Sequence, residues 1–354
     1  MERYIGLDVH AASCTAAVMD ARGKKLGAHV IATNGQALVQ FLATQPGTLS
    51  VCMEEGTQSE WLYQVLSPHA KQVVVIGLSE RSGPQRQKND ELDAYDLADR
   101  HRRDALPKTV FKDGGQLTSL RQLVKVHASI VRDSVRVQNR LKAMFRSRGV
   151  HATGKNVYSA KSREKWLEQL APSHRVAVSR LYDQHQALLE VREKTRKDLV
   201  AESHRQPVAK ILETCPGLGE IRVAQMIAVV MTPDRFRTRQ QFWSYCGLGI
   251  VTRSSSDWVQ TSDGRWARAH VQKTRGLNRT HNTMLKALFK GAATTIVLQH
   301  RSSTLFADYE RMLAGGTKPN LAKVTLARKI AATALAMWKT KEAYDPKKKT
   351  STAS

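Results

Sequence analysis

Residues 4–32 read YIGLDVHAASCTAAVMDARGKKLGAHVIA, and the fold of the first third of the chain turns on them. Three β-rich runs lie in this stretch, Tyr4 to Ala11, Cys14 to Met19 and Leu26 to Ala32, with turn chemistry at Asp20-Ala21-Arg22-Gly23 before the third. They predict an antiparallel meander. Beyond it, Asn34 is a predicted N-cap for a helix over Gly35 to Thr44, where Leu38, Phe41 and Leu42 recur at helical spacing, and Pro46-Gly47 stops that helix. Leu49 to Met53 reads as a fourth strand. Trp61, Leu62, Val65 and Leu66 mark a helix over Glu60 to Leu66 that Pro68 ends, and the apolar run Gln72 to Gly77 suits a strand buried on both faces. The order βββαβαβ is that of an RNase H-like α/β domain.

Further along, the pattern changes to long helices. Leu117, Leu120, Val124, His127, Val131, Ser134, Gln138, Leu141 and Phe145 fall at alternating spacings of three and four and form one seam, with Arg, Lys and Gln elsewhere. A second helical stretch, Ser173 to about His204, places Leu181, Leu188 and Leu189 among many charges, so the pair forms either an antiparallel coiled-coil-like hairpin or an ordinary helical subdomain. A mainly α region begins near Pro207. It contains Pro216-Gly217-Leu218-Gly219, a helix over Glu220 to Met231, a polar turn at Thr232-Pro233-Asp234, a helix through Phe242 and Tyr245 ending at Gly247, a Ser-rich loop, and helices over Asn282 to Val297, Ser303 to Leu313 and Leu321 to Lys339. The expected fold class is therefore α/β plus mainly α, with domains at 1–110, 111–206 and 207–341 and a basic disordered tail at 342–354.

The 354 residues exclude a small disulfide-stapled scaffold, and 56 Lys plus Arg against 31 Asp plus Glu give a formal net charge of +25. Such an excess repels itself in a compact state and points to a polyanionic partner. No apolar run approaches the roughly 18–20 residues that cross a bilayer. The start lacks the basic and apolar regions of a signal peptide, so a cytoplasmic protein is expected. The cysteines, Cys14, Cys52, Cys215 and Cys246, are widely spaced with no CxxC pair, which argues against zinc and disulfides.

Asp8 interrupts the apolar strand Ile5-Gly6-Leu7-Asp8-Val9, where a carboxylate is costly unless paired or bound to a cation. Glu54 and Glu55 end the fourth strand, which in this topology lies beside the first. Asp90 and Asp93 share a helix face at i, i+3. Taken alone, the Asp90/Asp93 pair is also what a solvated helix face carries. Together the acids run against a chain of +25, and converging hard oxygen ligands suit Mg²⁺ or Mn²⁺ and phosphoryl transfer. Arg81, Arg86 and Lys88 would bring phosphates to them.

These motifs resemble a family. IGLDVH, the Glu55, Thr57, Trp61 spacing, Lys88-x-Asp90-x-x-Asp93-Ala94, PGLG followed by Ala224, Arg235-Phe236, the Gly247-Leu248 to Ser254-Ser255 segment and Leu326 to Ala331 (LARKIA) are similar to the DEDD-type insertion-sequence transposases related to the Piv DNA invertase. The resemblance implies a RuvC-like N-terminal domain whose metal-binding acids fall on Asp8, Glu55, Asp90 and Asp93, with Glu54 as an alternative. It also implies a C-terminal domain whose serine attacks DNA. Counting from Gly247 gives Ser255; Ser256 stands where the family has glycine, so Ser254 and Ser256 remain alternatives. Members of that family are guided by a structured noncoding RNA encoded by their own element. The partners implied are donor and target DNA, that RNA, and further copies of the chain as a dimer or tetramer, with nucleoid association on DNA.

PGLG before a helix also resembles the turn of a helix-hairpin-helix. Arg265, Arg268, Lys273, Arg275, Arg279 and Lys286, with Trp258 and Trp266 interleaved, read as a nucleic-acid surface, as do Lys318, Lys323, Arg328 and Lys329. Three other readings stand beside this one. The acids alone would make a hydrolytic RuvC or RNase H-like nuclease with Ser255 structural, a non-catalytic nucleic-acid-binding protein would use them only as caps and pairs, and an actin-like sugar kinase lacks a second Gly-rich phosphate loop.

Overall fold

In the computed structural model, which describes residues 1–77, 89–106, 115–253, 258–268 and 273–347, the opening strands are β1 (Glu2–Val9), β2 (Ser13–Asp20) and β3 (Lys25–Ala32). The β2–β3 turn forms because Asp20 Oδ1 accepts from the backbone N–H groups of Arg22 and Lys24 at 2.9 and 2.8 Å, while Gly23 takes φ +91°. Helix α1 (Gly35–Thr44) starts where the Asn34 side chain accepts from the N–H groups of Gln36 and Ala37. Then follow β4 (Thr48–Glu54), α2 (Ser59–Leu66), β5 (Gln72–Ile76) and α3 (Asp90–Arg102). The sheet order is β3-β2-β1-β4-β5, with β1–β4 and β4–β5 parallel and the other pairs antiparallel.

Side chains alternate across a strand, so the central strand β1 serves two layers. Ile5 and Leu7 join Val51, Met53 and Val75 against Leu38, Leu42, Leu62 and Leu66 of α1 and α2. Gly6 and Asp8 face the other way, toward α3, whose Ala94, Tyr95 and Ala98 pack on Ala17 and Met19. The approach of α3 is close enough that a Cβ on Gly6 would sit 1.9 Å from the Ala94 carbonyl oxygen.

The chain divides into two compact units, Met1–Gly115 and Gln116–Ser354. The second opens with α4 (Thr118–Arg146), α5 (Arg163–Leu167) and α6 (Pro172–His204). Leu120 and Val124 of α4 share a core with Leu199 late in α6, whereas Val137, Leu141 and Phe145 pack with Val178 and Tyr182 early in α6. The two helices therefore run antiparallel. The expected seam is met at Leu120, Val124, His127, Ser134, Leu141 and Phe145, but Ile130 and Val137 are buried where Val131 and Gln138 were expected. A straight 3.6-residue helix drifts off a strict heptad, and the drift lets the more apolar neighbour turn inward. Gln138 stays at the edge, its Nε2 3.0 Å from His185 Nε2.

Helices α7 (Val208–Glu213), α8 (Glu220–Val230), α9 (Arg239–Tyr245), α10 (Thr283–Gln299), α11 (Thr304–Ala314) and α12 (Pro319–Thr340) complete this unit, and α7 and α8 flank the PGLG turn. They share the core of Leu120, Val124 and Leu199, centred on Phe242, Phe289, Leu326 and Ile330. Two small ribbons stand where only a loop was expected: β6 (Ile250–Arg253) pairs antiparallel with β9 (Lys273–Leu277), and β7 (Trp258–Gln260) with β8 (Trp266–Arg268). Strands of three to five residues are too short to show an alternation that can be read from sequence. Tyr344 packs on the helical core and its N–H donates to Thr214 Oγ1 at 2.8 Å, so the segment expected as a tail from 342 is anchored at that residue. No helix among the described residues is long and apolar enough to cross a membrane.

Candidate active site

Asp8 lies near the C-terminal end of β1, and His10 follows the strand. Asp90 opens α3, whose N-cap Asn89 accepts from the N–H groups of Glu91 and Leu92, and Asp93 follows in the same first turn. Acids in a first turn are favoured by the exposed N–H groups there, which accounts for Asp90, Glu91 and Asp93 as a helix start. It does not account for Asp8. That carboxylate is held in the sheet with its side chain 24% exposed, and burial raises its pKa above the usual carboxylate value; the His10 imidazole lowers it, and the charges of Asp90 and Asp93 raise it further.

His10 Nε2 stands between the two carboxylates, 3.4 Å from Asp8 Oδ2 and 3.3 Å from Asp90 Oδ2. One ligand atom from each of Asp8, His10 and Asp90 lies within 4.8 Å of the others. Asp8 Oδ2 and His10 Nε2 are shielded from solvent and make no hydrogen bond. Two unpartnered atoms, a carboxylate oxygen and an imidazole nitrogen, pointing at one another beside the Asp90 carboxylate fit a divalent cation, with oxygen donors for Mg²⁺ and a nitrogen that Mn²⁺ also accepts. His10 escaped the sequence reading although it ends the IGLDVH string. The signal was its spacing, two residues from Asp8, just past the strand.

The parallel register settles which glutamate shares the face of Asp8. Leu7 pairs with Met53, so the next step along both strands brings Glu54 level with Asp8 on the α3 side of the sheet. Glu54 also faces the way of Cys52, whose thiol is pushed up to about 12 by burial and by the Glu54 charge. Glu55 is exposed, one residue past the strand, and its N–H donates to the Ile76 carbonyl at 2.7 Å. Buried Ser59 fixes this corner, accepting from the Gly56 N–H at 2.6 Å and donating to the Glu54 carbonyl at 3.3 Å. An open space of about 410 Å³ borders Asp90 at the start of α3, lined also by Thr15, Ala28, His29, Val30, Asn89 and Glu91.

Ser254, Ser255 and Ser256 lie outside the described residues, as do Arg86 and Lys88. What leads into the serine segment is firmly built. The N–H groups of Leu248 and Gly249 donate to the Trp243 carbonyl at 2.8 and 3.0 Å, Trp243 Nε1 donates to the Arg328 carbonyl at 2.8 Å, and Arg328 Nε donates back to the Leu248 carbonyl at 2.7 Å. Gly247 has φ +66° and packs so close to the His281 ring that a Cβ would lie 2.5 Å from it. The Asn278 N–H closes the base of the β6–β9 ribbon on the Gly249 carbonyl at 3.0 Å.

The basic residues expected on a nucleic-acid surface divide. Arg265, Arg279 and Lys318 are exposed and Lys323 is half-buried. Arg268, Lys273 and Arg275 fall on β8 and β9, with side chains outside the description. Lys329 is paired with Asp308, and Arg328 is engaged in the turn just described. Trp258 and Trp266 are 57% and 64% exposed, and the register Trp258 to Arg268 and Gln260 to Trp266 sets both indoles on one face of the β7–β8 ribbon.

Comparison with known protein families gives two matches in tandem. A transposase model of the IS110 DEDD type matches residues 5–148, and a model described as Transposase IS116/IS110/IS902 family matches residues 209–310. No curated protein matches the chain.

Proposed function

The chain belongs to the IS110 family of DEDD-type transposases, an assignment that makes it an insertion-sequence transposase acting on DNA with divalent metal, and from that premise we propose that it cuts and rejoins DNA through a serine, assisted by a carboxylate-held cation. The carrying observation is the convergence of Asp8, His10 and Asp90 on one shielded point, with Asp93 close enough to act on the Asp8 charge. Asp8, Asp90 and Asp93 would hold the cation with one glutamate. The register favours Glu54 for that place; the motif spacing favours Glu55. A divalent cation there supplies Lewis-acid stabilisation of phosphate charge and lowers the pKa of a bound hydroxyl.

Ser255 is the nucleophile in this reading, with Ser254 and Ser256 as its alternatives. Its Oγ forms a bond to phosphorus, a phosphorus–sugar oxygen bond breaks, the serine proton passes to solvent and the released sugar oxygen takes one up. The cut strand stays on the protein as a phosphoserine ester, and attack by a sugar hydroxyl of the partner strand reverses the step and rejoins DNA. The Trp243, Leu248 and Arg328 bonds hold the turn from which the serine segment departs. The fold supporting the acids is read as RuvC-like, and α7–PGLG–α8 as a helix-hairpin-helix-like phosphate contact. Strand exchange engages two DNA sites, which calls for a homo-oligomer. A structured RNA from the same element is the proposed guide, and a charge of +25 suits holding both nucleic acids.

The test is to incubate the protein with Mg²⁺, its element-flanking RNA and end-labelled donor and target DNA, and to look for an adduct that survives denaturation. An adduct lost in Ser255→Ala, and in the Ser254 or Ser256 variant should one of those be the nucleophile, supports the reading. Metal-dependent cutting without an adduct replaces it with the hydrolytic nuclease, which the self-contained acid cluster of the first unit also favours.

A further inference from the structure

The two long helices of the second unit are packed on one another but differ in charge. Helix α6 carries six Lys and Arg against five Asp and Glu, and α4 carries seven against one. A solvated helix is normally balanced by i, i+3 and i, i+4 pairs, as α6 is through Arg180–Asp183, Arg196–Glu193 and the like. In α4 the neighbours at those spacings are cations. Lys125, Arg132, Arg136 and Arg140 follow at steps of seven, four and four, which at 3.6 residues per turn confines them to an arc of roughly 80°. All four are exposed, and they lie opposite the buried seam of Leu120, Val124, His127, Ile130, Ser134, Val137, Leu141 and Phe145. Among the described residues only Arg136 of the four has an acidic partner, Asp133 at 2.9 Å.

This stripe is built at a cost. Like charges at i, i+4 destabilise a helix, and the pairs Arg132/Arg136 and Arg136/Arg140 each carry that penalty. The stripe spans fifteen residue steps, about 22 Å at 1.5 Å per residue, or six to seven base pairs of B-form duplex at about 3.4 Å each. Its internal steps are about 10, 6 and 6 Å. A row of point charges, with no aromatic or amide among the four, suits phosphates and carries no base readout.

We propose that the exposed face of α4 is a docking surface for the sugar-phosphate backbone of duplex DNA, indifferent to sequence. The proposal uses only that DNA is the substrate; it is independent of the metal and serine chemistry. The test is binding of a 30-base-pair random-sequence DNA duplex to the full-length protein in EDTA, followed by fluorescence anisotropy across a salt series. Each phosphate contact contributes about 0.9 to the slope of log K against log salt. The variant Lys125→Gln/Arg132→Gln/Arg136→Gln/Arg140→Gln is expected to flatten that slope by about 3–4, and Arg132→Lys/Arg136→Lys/Arg140→Lys to keep it. Neutralising Arg192, Lys194 and Lys197 of α6 is the control and leaves it unchanged.

Thermal unfolding of the quadruple variant is expected to be no earlier than wild type, since repulsion is relieved; if it unfolds, Lys125→Gln and Arg140→Gln singly must each remove about 0.9. An unchanged DNA slope overturns the proposal. A change seen with a 30-base-pair RNA duplex but not with DNA overturns it in favour of RNA.

Discussion

Gly6→Ala tests how the carboxylates are brought together. Gly6 lies on β1 two residues before Asp8, on the face that α3 covers, and the added Cβ would meet the Ala94 carbonyl oxygen at 1.9 Å and the Ala98 nitrogen at 2.8 Å. Both are backbone atoms in a helix, so neither can swing aside. Carbon–oxygen contacts become repulsive below about 3.2 Å, and α3 must retreat by roughly 1 Å or more. Overpacking of this kind costs about 1–3 kcal/mol. At about 4–8 °C per kcal/mol for a domain of this size, melting of the first unit is expected to fall by about 4–24 °C.

The same retreat carries Asp90 and Asp93, both in the first turn of α3, away from Asp8. A displacement near 1 Å costs on the order of 100-fold in rate. The assay pairs a denaturant titration with metal-dependent cleavage measured at 15 °C, where the variant is still folded. Wild-type stability together with wild-type cleavage in Gly6→Ala would refute the claim that close strand–helix packing sets the site.

Three further outcomes follow from other parts of the molecule. Burial depresses His101, His127 and His185 below the ordinary imidazole value of about 6.5, with Arg192 and Arg196 adding to the effect on His127. Their folded pKa values lie below the unfolded one, so their contribution is present above pH 6.5 and lost as pH falls through the folded values. Denaturant midpoints should drop between pH 7.5 and pH 5, and His127→Leu, which also removes an unpartnered buried Nε2, should flatten that drop and raise stability at pH 7.5 by about 1 kcal/mol; a steeper drop would contradict this. Arg328→Met leaves the Leu248 carbonyl without its donor and should cost about 1–3 kcal/mol in a denaturant titration, while the salt slope of DNA binding stays within 0.9 of wild type. Trp258→Ala should weaken single-stranded DNA binding by a factor of about 5–150, the worth of one stacked base at about 1–3 kcal/mol, with an unchanged melting curve; full affinity would remove the ribbon from the interface.

The first unit was legible because each of its elements is short and punctuated. Asn34, Pro46-Gly47 and Asp20 to Gly23 mark boundaries that the structure keeps, and α1 spans Gly35–Thr44 as its cap and stop indicated. Asp8 and Asp90, which the structure brings together with His10, stand out in the sequence for a related reason, since Asp8 breaks an apolar strand and Asp90 recurs with Asp93 at a helical step. The sequence leaves Glu54 and Glu55 both open, because they differ in which face of the sheet they take, and that depends on the register with β1. His10 was missed because its role comes from a neighbour eighty residues on, Asp90. The charge asymmetry between α4 and α6 is in the sequence, but it gains meaning only once the buried seam shows which face is left to solvent. Arg328 looked like one more surface cation until the fold turned it toward Leu248.

The measurement closest to the central claim is calorimetric titration of Mn²⁺ into wild-type protein, Asp8→Asn and Asp90→Asn, each checked for folding by circular dichroism. Wild type is expected to bind the ion at the first unit, and either substitution to weaken that binding at least tenfold with the fold intact. Equal Mn²⁺ binding in all three proteins would contradict a metal centre built on Asp8 and Asp90.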